Sequence, residues 1–157
     1  MDIIIVYYIL LSLAFSAFFS GIEMAFISSD KVQIELESGK KTFVAKSLHS
    51  FIKNPSKFIG TTLIGNTLAL VLYGYLMALL LEPYMYLYLP VFFQNQGSVL
   101  ILQTIISTLI VLATAEFLPK SIFMINPNWM LTIFAIPMRM MMFVMAPITF
   151  LIVKLSK

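Results

Sequence analysis

Three long apolar stretches divide this chain, and each is interrupted by polar residues near one end. The first runs from about Ile3 to Ile27, and its leading part, Ile3 to Phe19, carries no charge. The second runs from about Phe58 to Leu81 and the third from about Ser98 to Leu118. Each is near or above the ~20 residues that an α-helix needs to cross a bilayer core. Only Met1 and Asp2 precede the first stretch. A cleaved signal peptide would carry basic residues there, so the stretch is read as a retained span.

The segments between these stretches follow other rules. Ser28 to Lys57 is polar, with Lys31, Lys40, Lys41, Lys46, Lys53 and Lys57 against Asp30, Glu35 and Glu37. Apolar residues recur at Val32, Leu36, Phe43, Val44, Leu48, Phe51 and Ile52, with Ser38-Gly39 breaking the pattern. This predicts two short amphipathic helices along the membrane surface, over about 28–54. Asn54-Pro55 ends them, since a residue before proline avoids the helical region. Glu82-Pro83 is expected to stop the second span. The aromatic residues that follow, Tyr84 to Phe93, mark an interface. Pro119 is expected to break or kink the third span. The last apolar stretch, Trp129 to Val153, holds Arg139 near its middle and Pro137 and Pro147. A lone arginine at mid-bilayer is costly. The stretch, with its flanks about 127–155, is therefore read as a bent helix at the interface rather than a fourth span.

Composition fixes the class. Of 157 residues, 61% are hydrophobic and 11% charged, and mean hydropathy is +0.98. A soluble domain carries about 25% charged residues. The fold is therefore an all-α membrane protein, a single transmembrane domain over 1–157 with no room for a soluble domain of ordinary size. The chain ends on Val153-Lys154-Leu155-Ser156-Lys157, and a cytoplasmic part is expected to follow. With no cysteine, disulfides, zinc-thiolate sites and iron–sulfur clusters are excluded. The single histidine, His49, lies in the charged stretch and reads as a solvated residue. No Ser/His/Asp set, HExxH, GxSxG or phosphate loop is present, and Asp2 and Asp30 lie outside the spans. Nothing points to an enzyme or to a nucleic-acid partner; the evident partner is the lipid bilayer.

Lysines set the orientation. The first connection carries six and the second, Glu82 to Gly97, none. By the positive-inside rule the first connection is cytoplasmic, the amino terminus outside and the carboxyl terminus cytoplasmic.

That topology makes three polar clusters converge: Ser20-Gly21-Ile22-Glu23, Gly65-Asn66-Thr67 and Ala115-Glu116-Phe117-Leu118-Pro119-Lys120. Ser20 and Glu23 lie near the inner end of the first span. Asn66 lies about 12 Å into the second at ~1.5 Å per residue. Glu116 lies near the inner end of the third. Ser16 and Ser20, and Thr62 and Asn66, are each one turn apart on a face. Gly21 and Gly65 permit close approach, and Pro119 frees the Ala115 carbonyl. Hydroxyl, carboxamide, carboxylate and carbonyl are hard oxygen ligands, suited to magnesium, calcium, manganese or sodium. Two other readings remain open at this level. The small polar residues could serve helix packing alone, and Glu116 could simply pair with Lys120 at the interface.

The same residues carry a family resemblance. SGIEMAFISSDKVQIE, NPSKFIGTTLIGNTLAL and AEFLPK, in this order, resemble the first-, second- and third-helix motifs of the CNNM/CorC magnesium transporters. Ala115 stands where that family usually has glycine, and Thr67-Leu68 where many members have asparagine and valine. The resemblance implies a homodimer with three spans and a cytoplasm-facing belt of juxtamembrane helices, in a bacterial inner membrane. It implies magnesium as the transported ion, with sodium coupling compatible, and a cytosolic CBS-type regulatory domain after residue 157. By motif position the ligands are Ser20, Asn66 and Glu116, with the Gly21 carbonyl; Glu23, Thr62, Ala115 and Pro119 form a second tier. The expected function is magnesium transport by alternating access. The alternatives are a magnesium-binding sensor or anchor without transport, and a scaffold with no ion site.

The orientation is testable directly. In this cysteine-free background, Ser38→Cys should resist a membrane-impermeant thiol reagent added to intact cells, and Gln96→Cys should react. The reverse pattern would overturn both the topology and the shared depth of the clusters.

Overall fold

The computed structural model describes residues 2–40 and 42–155. Met1, Lys41, Ser156 and Lys157, named in the sequence readings above, lie outside the described residues. Helix α1 spans Asp2–Ser28, α2 Lys31–Ser38, α3 Phe43–Lys53 and α4 Pro55–Tyr88. Helix α5, Gln96–Val111, passes through a π-helical turn, Leu112–Phe117, into α6, Leu118–Ile125. Three short helices follow: α7 Pro127–Ile133, α8 Ala135–Val144 and α9 Ala146–Leu155. Among the described residues there are three continuous helical stretches long and apolar enough to span: Ile3–Ser28, Pro55–Tyr88 and Gln96–Ile125.

Helix α1 is the central element, packed against α4 on one side and against the π turn, α6 and α7 on the other. At one end of the bundle a core forms from Ile22, Ala25 and Phe26 of α1, Ile34 of α2, Leu48 and Phe51 of α3, Phe58 of α4, Leu131 of α7, and Ala135 and Met138 of α8. The Phe58 ring joins it by stacking on Phe26 at 4.3 Å and tilting against Phe51 at 4.8 Å. The predicted amphipathic face of α3 thus turns Leu48 and Phe51 into a protein core, whereas α2 enters it through Ile34 and leaves the predicted Val32 and Leu36 exposed, as is Phe43 at the start of α3. Both helix starts are capped: the Asp30 carboxylate accepts from the Val32 and Gln33 N–H groups, and the Thr42 hydroxyl from that of Ala45, satisfying otherwise orphaned donors. At the other end, Ile9, Tyr73, Leu76 and Met77 form a second cluster, joined by Val111 of α5. The Tyr73 hydroxyl donates to the Ser107 carbonyl at 2.9 Å.

Prolines act differently from expectation in two places. Helix α4 does not stop at Glu82-Pro83; it continues through Pro83 to Tyr88. It ends instead at Leu89, which is extended (φ −78°, ψ 142°) because Pro90 follows. The Gln94 side chain then donates to the Tyr86 and Leu89 carbonyls and closes the helix end. Pro119 does not end the third stretch either. The chain enters the π turn just before it and stays helical to Ile125, until Asn126, before Pro127, turns out of the helix (φ −138°, ψ 74°). Asn54 before Pro55 has nearly the same geometry, as predicted.

The last apolar stretch is three helices rather than one bent helix, broken at Phe134 and Met145. Pro137 and Pro147 each fall in the first turn of the helix that follows, where a missing N–H breaks no intrahelical bond. With 7, 10 and 10 residues, none is long enough to span. The corner at Met145 reaches beside α1 and α4, where Met141 and Met145 line an apolar cavity with Leu11, Phe15, Leu68 and Leu72. Arg139 sits clear of hydrocarbon: its Nη1 donates to the Lys46 carbonyl of α3 at 3.0 Å, and its guanidinium lies over the Phe43 ring.

Helix α4 approaches α1 closely only because position 65 lacks a side chain. A Cβ on Gly65 would overlap the Phe19 ring, itself 2% exposed. Gly65→Ala should therefore destabilise the fold by about 1–3 kcal/mol, the range for overpacking, read as a lower melting temperature in detergent. Gly97→Ala, where a Cβ meets only ordinary contact with Asn95, should leave it unchanged or slightly higher.

Candidate functional site

A serine stripe runs along the buried face of α1. Ser12, Ser16 and Ser20 recur every fourth residue and are 2%, 0% and 1% exposed. Each meets its need for a partner differently. The Ser12 hydroxyl bonds back to the Ile9 carbonyl at 2.8 Å. The Ser16 hydroxyl crosses to α4 and donates to Asn66 Oδ1 at 2.6 Å. The Ser20 hydroxyl, equally buried, has no hydrogen-bond partner among the described residues.

Asn66 is held by its neighbours on α4. Gly65 brings the helix onto Phe19. Thr62, one turn earlier, is fully buried and donates to the Ile59 carbonyl at 2.8 Å. Thr62 thus satisfies itself locally, and Asn66 reaches α1. On the other flank, Gly21 admits the Phe123 ring of α6, which a Cβ would meet at 2.6 Å.

The third cluster falls within the π turn. There the Leu118 N–H bonds to the Ala113 carbonyl, five residues back, so one extra residue is carried in the turn. Such turns inside α-helices recur at functional sites. Ala115 is fully buried, Pro119 is buried and Glu116 is partly exposed. The register of this helix against α1 is fixed at two points: Val111 packs in the cluster containing Ile9, and Phe123 packs on Gly21. Ala115 and Glu116 lie between these points, nearer the Val111 end, at about the height of Ser12 and Ser16. A Glu116 carboxylate oxygen lies 3.9 Å from Lys120 Nζ, an ion pair too long to be a hydrogen bond. The alternative pairing of Glu116 with Lys120 is thus present but loose, leaving the carboxylate's acceptor capacity free.

The structure therefore ties Asn66 to Ser16, one turn before the Ser20 cluster, and packs the helix carrying the third cluster against α1. No group of three or more His, Cys, Asp or Glu occurs among the described residues. A cation here would have to be held by neutral oxygens with very few carboxylates. The residue that sequence reasoning left out of the site is Ser16. Its signal was the four-residue serine spacing.

These differences predict unequal effects of two similar substitutions. Ser16→Ala strands the Asn66 carboxamide and should cost about 1 kcal/mol, typical of interhelical hydrogen bonds in membranes. Ser20→Ala removes a hydroxyl that bonds to nothing among the described residues, so metal-free stability should stay level or rise. Thermal unfolding in chelator separates the two. Equal destabilisation would show that Ser20 is a packing residue like Ser16.

No curated protein matches the sequence. The family model for the cyclin M transmembrane N-terminal domain, CNNM, matches residues 7–157. That family is of transporter type and is associated with the movement of metal ions across membranes. With the match covering nearly the whole chain, and with three apolar helices of spanning length, the protein is an integral membrane protein that belongs to the CNNM transmembrane-domain family.

Proposed function

We propose that this domain carries magnesium across the membrane by alternating access, through a site between α1, α4 and the π turn. Ser20 Oγ, Asn66 Oδ1 and the Glu116 carboxylate are its side-chain ligands, with backbone carbonyls at Gly21 and Ala115. Glu23, Thr62 and Pro119 shape its surroundings. The observation that carries this reading is the Ser20 hydroxyl, fully buried and without a partner. A stranded buried polar group costs ~1–3 kcal/mol, and a bound ion or its water supplies what is missing. Asn66 Oδ1 already accepts one bond from Ser16. A carbonyl oxygen has two lone pairs, so that bond aims the carboxamide without exhausting it. One carboxylate among neutral oxygens suits magnesium, which keeps several waters and takes few charged ligands.

In this reading the working unit is a homodimer in a bacterial inner membrane, amino terminus outside and carboxyl terminus cytoplasmic. A cytosolic regulatory domain controls it, and sodium can serve as the coupling ion. The π turn is the element able to change register as the site opens to one side and then the other.

Glu116 supplies the decisive charge. Attraction between a carboxylate and a divalent cation 4 Å away amounts to roughly 8 kcal/mol at an effective dielectric constant of 20. An amide cannot replace it. Magnesium should raise the melting temperature of the wild type, Glu116→Gln should abolish that rise, and Lys120→Ala should leave it largely intact. A Glu116→Gln protein still stabilised by magnesium would remove the site as drawn and return these residues to helix packing. Magnesium flux into liposomes then separates a transporter from a sensor that binds without transport.

A further inference from the structure

A second polar cavity lies away from the serine stripe, where the juxtamembrane helices meet the start of α4. It has a volume of about 330 Å³. Ser50 and Asn54 from the end of α3, Lys57 and Thr61 from α4, and Arg139 from α8 line its polar side. Met142, Phe143 and Phe150 line the other. Its floor is the crossing of α4 and α9, where Gly60 lets Thr149 approach and the buried Thr61 and Thr149 hydroxyls lie 3.4 Å apart.

Three properties of this cavity point to one class of ligand. First, its two charged residues are both cations, and neither is in an ion pair among the described residues. Arg139 spends one N–H on the Lys46 carbonyl; guanidinium has five donors in a fork that fits phosphate oxygens, so most remain. Second, the cavity sits at the first turn of a membrane-spanning helix, which is headgroup depth. Third, its apolar wall continues outward over Phe143 and Phe150, 83% and 59% exposed. A soluble anion would have no use for that wall, whereas acyl chains would cover it.

We propose that the cavity binds the phosphate of an anionic phospholipid between Lys57 and Arg139, with the acyl chains leaving over Phe143 and Phe150. Basic pockets between helices at a membrane surface take anionic headgroups in this way. The bound lipid ties α3, α4, α8 and α9 together at one point and so fixes the juxtamembrane helices to the second span. This assignment is independent of the ion site.

The test uses the purified protein in detergent, stripped of lipid. It is titrated separately with phosphatidylglycerol, phosphatidylcholine and inorganic phosphate while the unfolding temperature is read. Phosphatidylglycerol should raise that temperature; phosphatidylcholine and phosphate at the same concentration should not. Arg139→Gln also removes the tie to α3, so Lys57→Gln is the cleaner variant. It should weaken the apparent affinity for phosphatidylglycerol about five-fold, the attraction of one basic residue near an anionic surface. Lys40→Gln, which removes the same charge from an exposed pair with Glu37, should have no effect. Equal responses to the two lipids, an equal response to phosphate alone, or wild-type affinity in both Lys57→Gln and Arg139→Gln would each overturn the assignment.

Discussion

Hydrocarbon offers polar groups nothing to bond to, and that constraint organises this molecule. Helix α1 carries three serines on one face, and a hydroxyl in such surroundings must find a partner or lose free energy. Ser12 turns back on its own helix and Ser16 takes Asn66 from α4. The second bond requires α1 and α4 to touch, which Gly65 against Phe19 allows. That contact seats α1 against α4, while Val111 and Phe123 set the register of the helix carrying Ala115 and Glu116. Of the three, Ser20 alone is left unmatched, one turn along α1 from the Ser16–Asn66 bond.

The same constraint explains the juxtamembrane helices. Three spans cannot by themselves enclose a polar interior near the membrane surface. Helices α2, α3, α7 and α8 close that end by building a core around Ile22, Phe26 and Phe58. Asp30 and Thr42 cap their starts, and Arg139 locks α8 to the backbone of α3. The interfacial segments are thus parts of the fold rather than appendages to it.

Much of this was legible in the sequence. Hydropathy located the three spans, the lysine-rich segment separated into the two amphipathic helices expected, and Asn54 before Pro55 ended them. The prolines were misread where their local effect competes with tertiary context. Pro83 lies within a long helix whose end is set instead by Leu89 and Pro90. Pro119 follows a π turn, and no residue pattern announces a π turn. Arg139 looked out of place in an apolar run because its partners, the Lys46 carbonyl and the Phe43 ring, are remote in sequence. The serine spacing on α1 was visible, but which serine meets Asn66 depends on the relative height of two helices, which sequence alone does not fix.

The central claim is that the unmatched Ser20 hydroxyl, the Asn66 carboxamide and the Glu116 carboxylate share one hard divalent cation. Manganese prefers the same oxygen ligands as magnesium and can be located by anomalous X-ray scattering. Crystals grown with manganese should give one anomalous peak among these three side chains, at ~2.0–2.3 Å from their oxygens. That peak should fall away when excess magnesium is added. A peak elsewhere, or none among these residues in a well-ordered crystal, would contradict the account.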